Sequence, residues 1–253
     1  TNLAGTLDTT NAALSLGALT LTGDATVSTG SGTLSLGAIE ADGVAPSTAL
    51  SLNSSAATTF AGSVGAVNPI TSLTTDAVGT LSLGGDVTTT GAITLDDAAT
   101  LATNVTLTGT DIDLATVDDD GTAGDAGLTL NGSGVTTLDA ALGGATALTS
   151  LTTDAAGTLS LGADVTTTGA ISLGDAGTLT TSVTLDGTDI ALAAVDDDGT
   201  AGDANLTLNG SGATTVSGAL GTGAALTSLT TDAAGTLSLG GDVTTTGAIT
   251  LDD

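Results

Sequence analysis

The chain has 253 residues, 28 of them acidic, and no lysine, arginine, histidine or cysteine, so its formal charge at pH 7 is −28. That balance excludes nucleic acid and anionic membrane as partners, because both are bound through Lys and Arg, and it excludes disulfide frameworks, zinc knuckles and thiol chemistry. Apolar residues make up 40% of the chain but Phe60 is its one aromatic, so the core has to be thin, aliphatic and uniform along its length, without bulky anchors.

High charge alone suggests disorder, yet the apolar residues are plentiful and regularly placed, which a solvated coil does not require. The opening segment "TNLAGTLDTT" has no initiator methionine and no basic region followed by an apolar run. No stretch approaches the roughly 18 apolar residues of a membrane span. The expectation is an internal piece of a longer or processed chain, with no membrane insertion in this segment.

Repeats organise the sequence. "ALSLNSSAATTF" at 49–60 lies one period before "GLTLNGSGVTTL" at 127–138, with Phe60 where Leu138 stands. "TSLTTDA" stands at 71–77, 149–155 and 227–233, and "GTLSLG" begins at 79, 157 and 235. "DVTTTGAI" begins at 86, 164 and 242, so every step is 78 residues. The chain divides into a degenerate copy at 1–71, copies at 72–149 and 150–227, and a partial copy at 228–253, all parts of one continuous array.

Within the second copy the strands follow in order. "GTLSLG" turns Leu81 and Leu83 to one side and Thr80 and Ser82 to the other. "GAITL" does the same with Ile93 and Leu95, "NVTLTG" with Val105 and Leu107, and "DIDLATV" with Ile112 and Leu114. This is a period of two, punctuated by Gly, Asn and Asp, and alanine never recurs at helical spacing with charged partners. The fold class is therefore all-β. The runs "VTTTG" at 87, 165 and 243 suit an exposed strand face; an ice-binding ladder would need such threonines on every rung.

Two architectures compete. A solenoid rung of three short strands and three corners takes about 20 residues, which divides each copy into four rungs of about 19.5 and the chain into about 13, some 60 Å long. A string of small β-sandwiches would need Trp or Tyr anchors and linkers, whereas the two prolines, Pro46 and Pro69, both fall in the first copy. The expectation is a right-handed parallel β-helix, the hand following the general rule for parallel connections.

One acidic motif occurs twice without change, "VDDDGTAGDA" at 117–126 and 195–204. The stretch from Asp118 to Gly127 is longer than a tight corner needs and reads as a protruding turn. Asp118, Asp119, Asp120 and Asp125, with Asp196, Asp197, Asp198 and Asp203, are candidate calcium ligands, since calcium takes six to eight hard oxygens from a flexible loop. Consecutive carboxylates alternate in direction when extended, and the spacing is that of neither an EF-hand nor a glycine-rich calcium roll. A hydrated acidic corner is the competing reading, so no cofactor is required. No Ser or Thr can find a His or Lys base, and sugar subsites would lack aromatic platforms, so the chain does not read as an enzyme. Glycosylation sequons begin at Asn53, Asn104, Asn131, Asn205 and Asn209, although Asn is equally a corner residue or a stacking-ladder element.

The succession "ATTFAGSVG", "LTSLTTDAAGT", "VTTTGAI" and "ATLATNVTLTGTDI" resembles the repeats of giant bacterial surface proteins, the β-strand-repeat or filamentous-haemagglutinin-like adhesins. The resemblance implies secretion, a long right-handed parallel β-helix, and a role in adhesion, biofilm or surface fibres. The expected function is the structural shaft of an extracellular fibre or giant cell-surface adhesin, associating with other copies of itself end to end or laterally and, through its ends or loops, with surface or matrix ligands. The alternatives are a calcium-dependent cross-linking module and a tandem-sandwich stalk.

Overall fold

Alternating aliphatic and hydroxyl residues can bury only one side of each strand, and strands of three to six residues cannot bury it alone. Stacking them rung on rung solves both problems. The computed structural model describes residues 1–122, 124–200 and 203–252 and contains, among them, strands and turns but no helix. Every strand pairing is parallel, which makes the chain a parallel β-solenoid of about 11 turns and rules out the tandem-sandwich alternative.

The strands stack into three faces that the chain visits in order. The first face begins with Asn2–Asp8 and Leu19–Gly30 and runs through Ser72–Thr75, Ile93–Leu95 and Thr158–Leu161 to Val195–Asp197. The second begins with Leu14–Leu16, passes Thr80–Leu83 and Val117–Asp119, and continues through the bridges from Val117 to Leu142 and from Leu142 to Val165 into Asn205–Gly210 and Ser228–Thr231. The third begins with Ile39–Ala41, crosses Val64 and Val87 by single bridges, and runs through Val105–Gly109 and Leu151–Thr153 to Thr236–Leu239.

Rungs are not uniform, and this corrects the expected 19.5 residues and 13 rungs. Paired residues lie 18 apart in Leu81, Ala99 and Val117, and 25 apart from Val117 to Leu142; a spacing of roughly 23 recurs most often. The physical reason is that only the inward strand residues must stay in register, while corners absorb extra residues as solvated loops at little cost. At about 4.8 Å per turn the stack is about 53 Å long.

The alternation holds where it was expected. Leu81, Leu83, Ile93, Leu95, Val105, Leu107, Ile112 and Leu114 are all buried, and pairing sets like over like, as in Ile93 on Ile112 and Leu95 on Leu114. Fully burying one such side chain is worth roughly 2 kcal/mol. Phe60 is accommodated between Leu36 and Leu83 on the second face. The threonine runs depart from expectation. Thr89 and Thr167 turn inward and are buried, and their hydroxyls donate to the carbonyls of Gly91 and Gly169 at 2.7 and 2.9 Å. They are corner residues whose side chains close a turn, not an exposed strand face.

Candidate metal-binding loops

The two acidic motifs start on strands. Val117 and Val195 point inward, so the next residue points out and the one after it points in again. Asp118 and Asp196 therefore lie outside and Asp119 and Asp197 inside, where they are 2% and 4% exposed. This alternation splits the eight candidate ligands. Asp118 accepts from the backbone N–H of Ala145 and Thr146, at 2.9 and 3.3 Å, and Asp196 accepts from that of Gly223 at 2.9 Å. Each fastens the corner one turn further on, as Glu40 does in the degenerate copy through the N–H groups of Val67 and Asn68.

The remaining six form two groups. Single carboxylate oxygens of Asp119, Asp120 and Asp125 lie within 4.8 Å of one another, and those of Asp197, Asp198 and Asp203 do the same. In the first loop Asp119 is the organiser. Its Oδ2 accepts from Gly124, Asp125 and Ala126 N–H at 3.0, 3.1 and 3.2 Å, and its Oδ1 from Asp120 N–H at 2.8 Å. Burial pushes its acidity down, but the hydrogen bond shared with the Asp125 carboxyl and the backbone donors outweigh burial and hold its pKa below the ordinary value. The same shared hydrogen bond raises Asp125.

The second loop repeats the sequence but not the bonding. Asp197 Oδ1 accepts from Gly199 N–H at 3.3 Å, its Oδ2 has no partner among the described residues, and burial raises its pKa. Asp198 is lowered by the N–H of Thr200. Ala123, Ala201 and Gly202 of these loops lie outside the described residues. In the degenerate copy Ala41 stands at the inward position, so that corner has no buried carboxylate. The oxygens of the two triads have the hardness calcium prefers, though in the first loop four N–H donors already occupy Asp119.

A second acidic feature escapes motif reading. In "LDDAATL" and "SLGDAGTL" the inward alternation runs from Leu95 to Asp97 to Ala99, and from Leu173 to Asp175 to Gly177. Asp97 and Asp175 are each 2% exposed, and Asp97 Oδ1 and both oxygens of Asp175 have no hydrogen-bond partner among the described residues. Burial, then Asp76 on the preceding turn and the adjacent Asp96, push Asp97 up to about 6; burial and Asp154 raise Asp175. The signal was the strand period itself.

Of the sequon asparagines, Asn104 accepts from Gly127 N–H at 2.8 Å, and Asn205 both donates to Ser182 Oγ and accepts from Ser228 Oγ, at 2.7 and 2.6 Å. Both tie successive rungs together. No helix among the described residues is long and apolar enough to cross a membrane. Comparison with family models, with curated proteins and with solved structures finds no match.

Proposed function

We propose that this chain is a shaft segment of an extracellular fibre or giant cell-surface adhesin, supplying length and stiffness without chemistry of its own. The observation that carries the reading is the unbroken column of aliphatic side chains from Leu19 to Leu229, in which each inner rung is hydrogen-bonded on both sides. A chain free of lysine and arginine offers no basic cleavage sites, and one free of cysteine is inert to redox change; both suit life outside the cell. The protein sequence similarity to giant adhesins noted above points the same way. Immunogold labelling of intact producing cells tests it: gold on slender surface rods is expected, and label that reaches the epitope only after permeabilisation removes the proposal.

A second reading, calcium-dependent cross-linking of neighbouring shafts, is favoured by the two carboxylate triads. Chelator and calcium titrations separate the two. If thermal stability and lateral association are the same in EDTA and in millimolar calcium, cross-linking is lost and the shaft reading stands.

A further inference from the structure

Along the first copy of the repeat, from Leu73 on the first face to Leu151 on the third, the chain takes eleven strand steps. Three steps make a turn, so one repeat makes eleven thirds, or 3⅔ turns, rather than a whole number. Every motif therefore returns on a different face. "TSLTTDA" forms Ser72–Thr75 on the first face, Leu151–Thr153 on the third and Ser228–Thr231 on the second. "GTLSLG" forms Thr80–Leu83 on the second, Thr158–Leu161 on the first and Thr236–Leu239 on the third.

Local geometry survives the change of face. Gly65, Gly143 and Gly221 have φ of +68°, +70° and +67°, and a Cβ on any of them would strike a carbonyl oxygen of the next turn, that of Thr88, Thr166 or Thr244. The bridges from Ile70 to Thr89, Leu148 to Thr167 and Leu226 to Thr245 recur in the same way. The hydroxyls of Thr89, Thr167 and Thr245 donate to Gly91, Gly169 and Gly247 carbonyls at 2.7, 2.9 and 2.9 Å. A face can accept any motif because the interior is aliphatic almost throughout, with no aromatic in the full copies to demand a matching pocket.

We infer that the three faces are interchangeable and that the 78-residue repeat is the unit by which the shaft changes length, each copy adding 3⅔ turns and moving its surface loops one corner round the axis. Three copies, 234 residues, complete 11 turns. The loops follow suit. The segment after Ile39–Ala41 spans the corner between third and first faces, that after Val117–Asp119 the corner between second and third, and that after Val195–Asp197 the corner between first and second. A rod decorated in this way presents its acidic loops on all sides, with about 18 Å of rise between successive ones. The inference deepens the shaft reading and rests on it only for the use made of added length.

Two deletions test it. Removing 72–149 takes out one copy and shifts every later strand by one face; removing 76–138 takes out three whole turns and keeps every later strand on its face, but joins unlike sequences. The first is expected to fold cooperatively, with unchanged circular dichroism per residue and a rod about 18 Å shorter by small-angle scattering. In that background Ser51→Cys and Thr152→Cys should cross-link with a short bifunctional reagent, because Thr152 takes the place of Thr74 beside Ser51; in the full chain, where Thr152 pairs with Thr129 and Ser172, they should not. A repeat deletion that is unfolded, or folded without the new cross-link, overturns the inference, most clearly if the whole-turn deletion folds. Neither result bears on where the shaft is displayed.

Discussion

Two kinds of inward aspartate occupy this column, and they solve the same problem differently. Asp119 and the pair Asp97 and Asp175 are almost equally buried, and no cationic side chain exists to neutralise any of them. Asp119 sits where a loop doubles back and aims four backbone N–H groups at it, so its charge is the reason the loop has a shape. Asp97 and Asp175 sit where the strand alternation carries them, facing other carboxylates. Burial alone therefore does not decide what a carboxylate does to a fold; the donors that the backbone can turn toward it decide.

The aliphatic rungs set the scale for this contrast. Leu95→Ala, which opens a void between Thr75 and Leu114, is expected to lower stability by about 2–5 kcal/mol in thermal or denaturant unfolding. Asp119→Ala comes next. It strands the N–H groups of Gly124, Asp125 and Ala126, and a loss of about 1–3 kcal/mol is expected, together with faster proteolysis at the loop. The matching change Asp197→Ala should cost less, because fewer donors converge there. Equal losses at Asp119 and Asp197 would show that the backbone nest is not what distinguishes the two loops.

Much of this was legible from residues alone. Period-two alternation places Leu81, Leu83, Ile93 and Leu95 correctly, and the same rule puts Asp119 inside and Asp118 outside. Asp97 and Asp175 obey it too, but a search for inward positions by hydrophobicity passes over them. Rung length was not legible, because 78 divides evenly by four while the molecule counts inward strands and lets corners such as 118–127 take up the difference. Nor was the fate of Asp118 and Asp196 as ligands, since their oxygens are taken by N–H groups 27 residues ahead, a distance that only the register of stacking reveals.

The smallest expected effect is also the one with an unusual sign. The raised pKa of Asp97, about 6, and the upward shift of Asp175 mean that the folded chain holds these protons more tightly than the unfolded chain, whose aspartates titrate near 3.8. The stability this supplies is complete below about 3.8 and is lost as pH rises through about 6. The lowered groups Asp24, Asp42, Asp119 and Asp198 work the other way, and their contribution is present above the unfolded value and is lost as pH falls through their folded values. The two windows barely overlap, so the chain should be more stable near pH 4 than near pH 7.5, the reverse of the usual acid denaturation. Replacing Asp97 and Asp175 together by Asn keeps the shape and removes the titration. The double variant should melt about 4–8 °C higher than the parent at pH 7.5, for on the order of 1 kcal/mol at each site, and within about 2 °C of it at pH 4. Melting curves at both pH values in 0.15 M salt decide the matter: an equal shift at the two would mean that packing, not the buried charge, governs these rungs.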